Sequence, residues 1–195
     1  MVKIYTMKKH IIFVLALLAV LPMAGCAQLN PLMVNMGLAE APPPVTDSNY
    51  FSKQINLLLD RLKTSQIRAF RKSASMEFQN ANGQVSELGK YLTGKFGERA
   101  IGRNQFRVTP QGQVKEAMAK LKINPVGELT KDNLEKLGTE LEVDAIITGV
   151  VSDLQKGSDV DLTIKVIQPS TGEMIAAASV NIYRSKQVQT LIQQF

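Results

Sequence analysis

The spacing of apolar positions changes several times along the chain, and each change marks an element. Phe51, Ile55, Leu58 and Leu62 recur at i, i+4, i+7 and i+11 behind the start signal Asp47-Ser48, which predicts an amphipathic helix. Over residues 67–78 the pattern weakens to an extended stretch. Phe70, Ala74, Met76 and Phe78 are placed on one face, Arg68 and Lys72 share it, and the segment reads as an edge strand or an irregular one. A second helix is expected over residues 84–100, with Val85, Leu88, Leu92 and Phe96 on one stripe and Gly89, Thr93 and Gly97 on the next. A glycine inside a helix costs up to about 1 kcal/mol relative to alanine, so Gly89, Gly94 and Gly97 predict backbone contact with a sheet or another helix. A membrane dimer of the GxxxG kind does not fit, because Lys90, Lys95, Glu98 and Arg99 interrupt the segment.

Residues 105–108 are short and β-like, and Thr109-Pro110 then offers an N-cap and a first-turn proline to a helix bearing Val114, Ala117, Met118 and Leu121. Asn124-Pro125-Val126-Gly127 ends it. Leu134, Leu137 and Leu141 mark a further helix capped by Thr130. Residues 143–154 form a nearly continuous apolar run around Gly149, the mark of a strand covered on both faces. Residues 159–167 alternate, with Val160, Leu162, Ile164 and Val166 inward and Asp159, Asp161, Thr163 and Lys165 outward. The turn Gln168-Pro169-Ser170-Thr171-Gly172 leads to a third strand with Met174, Ala176, Ala178, Val180 and Ile182 inward, and Val188, Leu191 and Ile192 close the chain at helical spacing. The expected class is α+β (α/β mixed), a small mixed sheet with a C-terminal antiparallel meander, packed by helices.

The N-terminus follows a different logic. Lys3, Lys8 and Lys9 precede an apolar run over residues 11–21, too short for the roughly 20 residues of a membrane-spanning helix, and Pro22-Met23-Ala24-Gly25-Cys26 follows. Residues 1–25 read as a signal peptide. The small pair before a lone cysteine resembles the bacterial lipobox, so Cys26 is the expected lipid attachment site and mature N-terminus; a lone exported thiol would otherwise be an oxidation liability. Several acyl chains on one residue anchor stably, and Ala27 after the cysteine implies, by resemblance to lipoprotein sorting, the outer membrane with the domain facing the periplasm. Residues 26–49, with Pro42-Pro43-Pro44, read as the lipidated end and a tether, and residues 50–195 as the folded domain.

Processing changes the charge and the chemistry. The chain has 23 Lys+Arg against 17 Asp+Glu, or +6; losing the three signal lysines leaves +3. Ten Lys/Arg and three Glu lie between Arg61 and Arg107, a basic half that fits anionic wall polymer or, more simply, a solvated face. Nucleic acid is not an expected partner, since aromatics do not interleave the basic residues. The one histidine, His10, lies in the signal, so Cys/His zinc sites and histidine-dependent triads and dyads are excluded. Asp159 and Asp161 fall on an outward face and suit edge protection, and Asp144 suits capping of the preceding helix or loop. No catalytic, cofactor-binding or metal residue is expected.

The run Leu137-Gly138-Thr139-Glu140-Leu141-Glu142-Val143-Asp144-Ala145-Ile146-Ile147-Thr148-Gly149, the later Val166-Ile167-Gln168-Pro169-Ser170-Thr171-Gly172-Glu173 with Ala176-Ala177-Ala178, and Ser86-Glu87-Leu88-Gly89-Lys90-Tyr91-Leu92 together resemble the FlgO family. The likeness extends over residues 50–183. It implies an outer-membrane lipoprotein of the flagellar ring, working by self-association or by binding envelope ring proteins, and needed for flagellar stability or motility. Curli-assembly lipoproteins of the CsgG type and lipoprotein activators of penicillin-binding proteins share these features. An activator of a peptidoglycan synthase is therefore the alternative, though it would want a tether longer than 23 residues; a secretion pore would need lipid-facing strands for which no segment remains.

Overall fold

The computed structural model describes residues 47–125, 129–153 and 158–194. The signal peptide, Cys26 and the tether up to residue 46 lie outside them, as do Val126, Gly127 and Leu154. Five helices and six strands are described: α1 Asp47–Ser65, β1 Lys72–Ser75, β2 Gln79–Asn80, α2 Glu87–Gly102, β3 Arg107–Thr109, α3 Gln111–Lys120, α4 Lys131–Leu141, β4 Ala145–Ser152, β5 Asp159–Ile167, β6 Met174–Tyr183 and α5 Lys186–Gln193. The sheet is ordered β3-β1-β4-β5-β6, with β2 also paired to β4. Its β3, β1, β2 and β4 members are parallel, and β4-β5-β6 is the expected antiparallel meander.

Connectivity explains the layers. The step from β1 to β3 crosses one face through α2, and the return to β4 crosses the other through α3 and α4; opposite directions over opposite faces keep one handedness. The first face is filled by α1, α2 and α5. Ile55, Leu58, Leu92 and Phe96 meet Ile147, Leu162, Ile164 and Val180 there, all fully buried. The second face has a smaller core, in which Val114, Met118, Leu134 and Leu137 cover Ala74 and Ile146. The outward side chains Asp159, Asp161 and Lys165 of β5, and Ser179, Asn181 and Tyr183 of β6, are exposed, so the second helical layer covers about half of the sheet.

Three expectations change. The stretch around β1 is not an edge strand, because β1 lies between β3 and β4. Its cationic neighbours Arg68 and Arg71 precede it, while Ser73, Ala74 and Ser75 are fully buried, the Ser73 hydroxyl donating to the Arg107 carbonyl at 3.1 Å. Nor do its apolar residues share a face. Ser75 pairs with Ile147 and Gln79 with Val150, four steps against three, so the chain carries one extra residue; Phe78 turns into the core beneath α2 while Met76 stays beneath α3 and α4.

The second change is in β6. Val166 pairs with Ala176 but Ile167 with Met174, leaving Ile175 as a bulge that inverts the phase: Ile175 is buried and Met174 is 53% exposed. The third is at α3, whose N-cap is Pro110 without a side-chain cap; Thr109 belongs to β3 and its buried hydroxyl lacks a partner in the structure. Thr130 caps α4 as expected, its hydroxyl accepting from the Asn133 N–H at 3.2 Å.

The outer edge of β6 is closed by side chains of α1 and the residues after it. Tyr50 Oη accepts from the Tyr183 N–H at 2.7 Å, Ser65 Oγ accepts from the Ala177 N–H at 3.2 Å, Arg61 donates to the Ser179 carbonyl at 2.5 Å, and the Ile67 N–H donates to the Ile175 carbonyl at 2.9 Å. Four of the backbone groups that would template another strand are thereby taken.

Candidate functional site

Two clefts flank the turn of the β5–β6 hairpin, and the residues that carry the family resemblance build the first. A cleft of about 560 Å³ is bounded by Arg68, Arg71, Glu135, Asp144, Gln168 and Pro169. Its polar groups are largely engaged by the chain itself. Asp144 Oδ2 accepts from the N–H groups of Arg71 and Lys72, both at 3.1 Å, so it caps the start of β1 and not the helix or loop before it. Arg68 donates to Gln168. Gly138 sits so close to Pro169 that an added Cβ would lie under 3.0 Å from the proline ring, which locks α4 to the hairpin turn. Two arginines against two carboxylates leave this cleft without a net sign.

Other motif glycines are also structural. The ring of Phe78 occupies the space above Gly149, the carbonyl of Phe78 lies against Gly89, and the Phe78 N–H donates to Thr93 Oγ1 at 2.8 Å. Backbone contact thus accounts for Gly89, as expected; Gly97 touches only Val108 at ordinary distance, and nothing approaches Gly94 within 4 Å. Gly172 takes φ +73° in the hairpin turn, where its N–H donates to the Gln168 carbonyl at 2.8 Å.

The second cleft, about 620 Å³, opens where α4 stops covering the sheet. Met76 and Leu134, 6% and 4% exposed, form its floor with the half-buried Val150 and Ile167. Lys131 and Lys165 stand on its rim. Glu77 is the acidic residue lining it among the described residues, and its carboxylate is held by Lys115 at 2.8 Å. Lys131 occupies the first turn of α4, where the helix dipole disfavours a cation, and its stem lies over Gly172, whose missing side chain leaves it room. The sequence signal for this site is faint: a lysine directly after the cap Thr130, and Lys165 on the outward face of β5.

Asp159 and Asp161 are exposed on that same face of β5, far in register from Asp144. Lys90 and Lys120 are held above the ordinary lysine range, first by hydrogen bonds to Glu87 and Glu140 and then by the charges of those carboxylates, and neither lines a cleft. Among the described residues no group of His, Cys, Asp and Glu could hold a metal ion, and no helix is long and apolar enough to cross a membrane.

Comparison with protein-family models gives no match, and comparison with curated proteins gives none either. Solved structures do match. The C-terminal domain of LpoB from Escherichia coli superposes with a TM-score of 0.56 at 12% identity, over 69% of this chain and 98% of that domain. The same domain from Salmonella enterica gives 0.51 at 14%, over 71% and 100%, and the solution structure of E. coli LpoB gives 0.52 at 14%, over 75% of each chain. None of the three is described as flagellar. The chain has the fold of the LpoB C-terminal domain.

Proposed function

We propose that this protein is a lipid-anchored lipoprotein that acts without catalysis, by contact, as an activator of a peptidoglycan synthase. One observation carries the reading: the likeness to the LpoB domain runs over essentially the full length of that domain, and LpoB is a lipoprotein activator of a penicillin-binding protein. The flagellar alternative rests on sequence resemblance, and the motif residues behind it, Gly138, Asp144, Gly149 and Pro169, hold the fold together. Residues that hold a fold together do not by themselves separate one function from another.

The tether sets a condition on this role. Since α1 starts at Asp47, twenty residues separate it from Cys26, a reach of at most about 66–72 Å. The synthase must therefore present its docking module close to the outer membrane. The test is to add the purified full chain to the peptidoglycan synthases of the same cell and follow polymerisation of lipid-linked precursor. Faster polymerisation is expected; no stimulation of any of them, together with lost swimming and lost density at the flagellar base on deletion, would return the assignment to the flagellum.

A further inference from the structure

Three features of the cleft between α4 and β5 bear on what could occupy it. Its floor is apolar and concave, formed by Met76, Leu134, Val150 and Ile167 at the point where the second helical layer ends. Its rim is positive: Lys131 and Lys165 stand there with no ion-pair partner among the described residues, and Glu77, the acidic residue lining the cleft among them, is held by Lys115. And Lys131 stands in the first turn of α4, where the helix dipole disfavours a cation, with its stem packed over Gly172.

We infer that this groove binds a partner protein through a short segment in which apolar side chains alternate with carboxylates. The apolar side chains fill the floor left uncovered beside α4, and the carboxylates meet Lys131 and Lys165. Charge complementarity selects this occupant. An anionic membrane or wall polymer would leave the apolar floor unfilled. Strand addition is not the mode, because α1 already closes the edge of β6. The inference rests on the reading that the protein works by contact and names the chemistry of the segment it contacts.

The experiment uses the full chain in detergent micelles and a fluorescein-labelled hexapeptide alternating leucine and glutamate, read by fluorescence anisotropy. Saturable binding is expected, with a loss of about tenfold or more, roughly 1.4 kcal/mol, in Lys131→Glu combined with Lys165→Glu. Both lysines are exposed, and an unchanged thermal melt certifies the variant; if it unfolds, Lys131→Gln with Lys165→Gln replaces it. Three results overturn the inference: no binding, equal binding of the leucine–glutamine peptide, or displacement by an equimolar amount of inorganic phosphate. An equal loss in Lys63→Glu, on α1 across the sheet, would do so too by reducing the effect to general charge. Peptide binding without stimulation of any synthase would sink the synthase reading and leave the groove standing.

Discussion

The ring of Phe78 lies directly over Gly149, filling the place where any other residue would carry its side chain. An added Cβ would come within 3.0 Å of three ring atoms, and the ring is fully buried and backed by Phe96 in an edge-on contact with centroids 5.9 Å apart. Gly149→Val should therefore cost about 1–3 kcal/mol, while Asp159→Asn, on the open face, should stay within about 0.5 kcal/mol. Thermal melts of the two variants decide; equal losses would contradict the orientation of β4 and β5.

The glycines of α2 should separate in the same assay. Nothing lies within 4 Å of an added Cβ at Gly94, so Gly94→Ala should stabilise by about 0.5–1 kcal/mol through helix propensity. At Gly89 the methyl would meet the carbonyl of Phe78, which is held in place by the hydrogen bond from its own N–H to Thr93. Gly89→Ala should lower the melting temperature, and a rise in both would mean that the helix stands off the sheet.

Some of this was legible in the sequence. The alternation of residues 159–167 matches β5 position by position, because one face of that strand is buried throughout while the other is exposed at Asp159, Asp161 and Lys165 and half-buried at Thr163 and Ile167. The inward face of β6 was legible at Ala176, Ala178, Val180 and Ile182 but not at Met174, since the bulge at Ile175 depends on how two strands pair and leaves no local trace. The centrality of β1 was hidden too. Its buried residues are two serines and an alanine, whose burial comes from neighbouring strands and not from their own hydrophobicity. The second cleft exists because two helices cover half a sheet face, which is a property of connectivity; only the outward placement of Lys165 could be read in advance.

Asp144 offers a test of what the motif does. Asp144→Ala removes the acceptor of two backbone N–H groups at the opening of β1, and should cost about 1–3 kcal/mol. Hydrogen exchange should quicken first at Arg71 and Lys72. If exchange there is unchanged, the carboxylate is not holding the strand.

For the anchor, Cys26→Ser should yield an uncleaved or soluble periplasmic protein, because the expected membrane hold is acylation of that one thiol. Fractionation reads the outcome. A variant that still sediments with the outer membrane would point to a second membrane contact or to a wrong assignment of the signal.

The helix that shields the margin of β6 is also the element through which any pull on the preceding chain reaches the fold. Tension arriving at Asp47 loads the Tyr50–Tyr183 hydrogen bond before those made by Arg61 and Ser65, so the helix would peel from its N-terminal end. Detachment would bare the outermost strand along its length, turning a guarded boundary into an adhesive one. A domain stretched between a fixed anchor and a moving partner would thus yield first at its own clasp, and because Phe51, Ile55, Leu58 and Leu62 of that helix are buried in the first core, the peeling would open that core as it advanced.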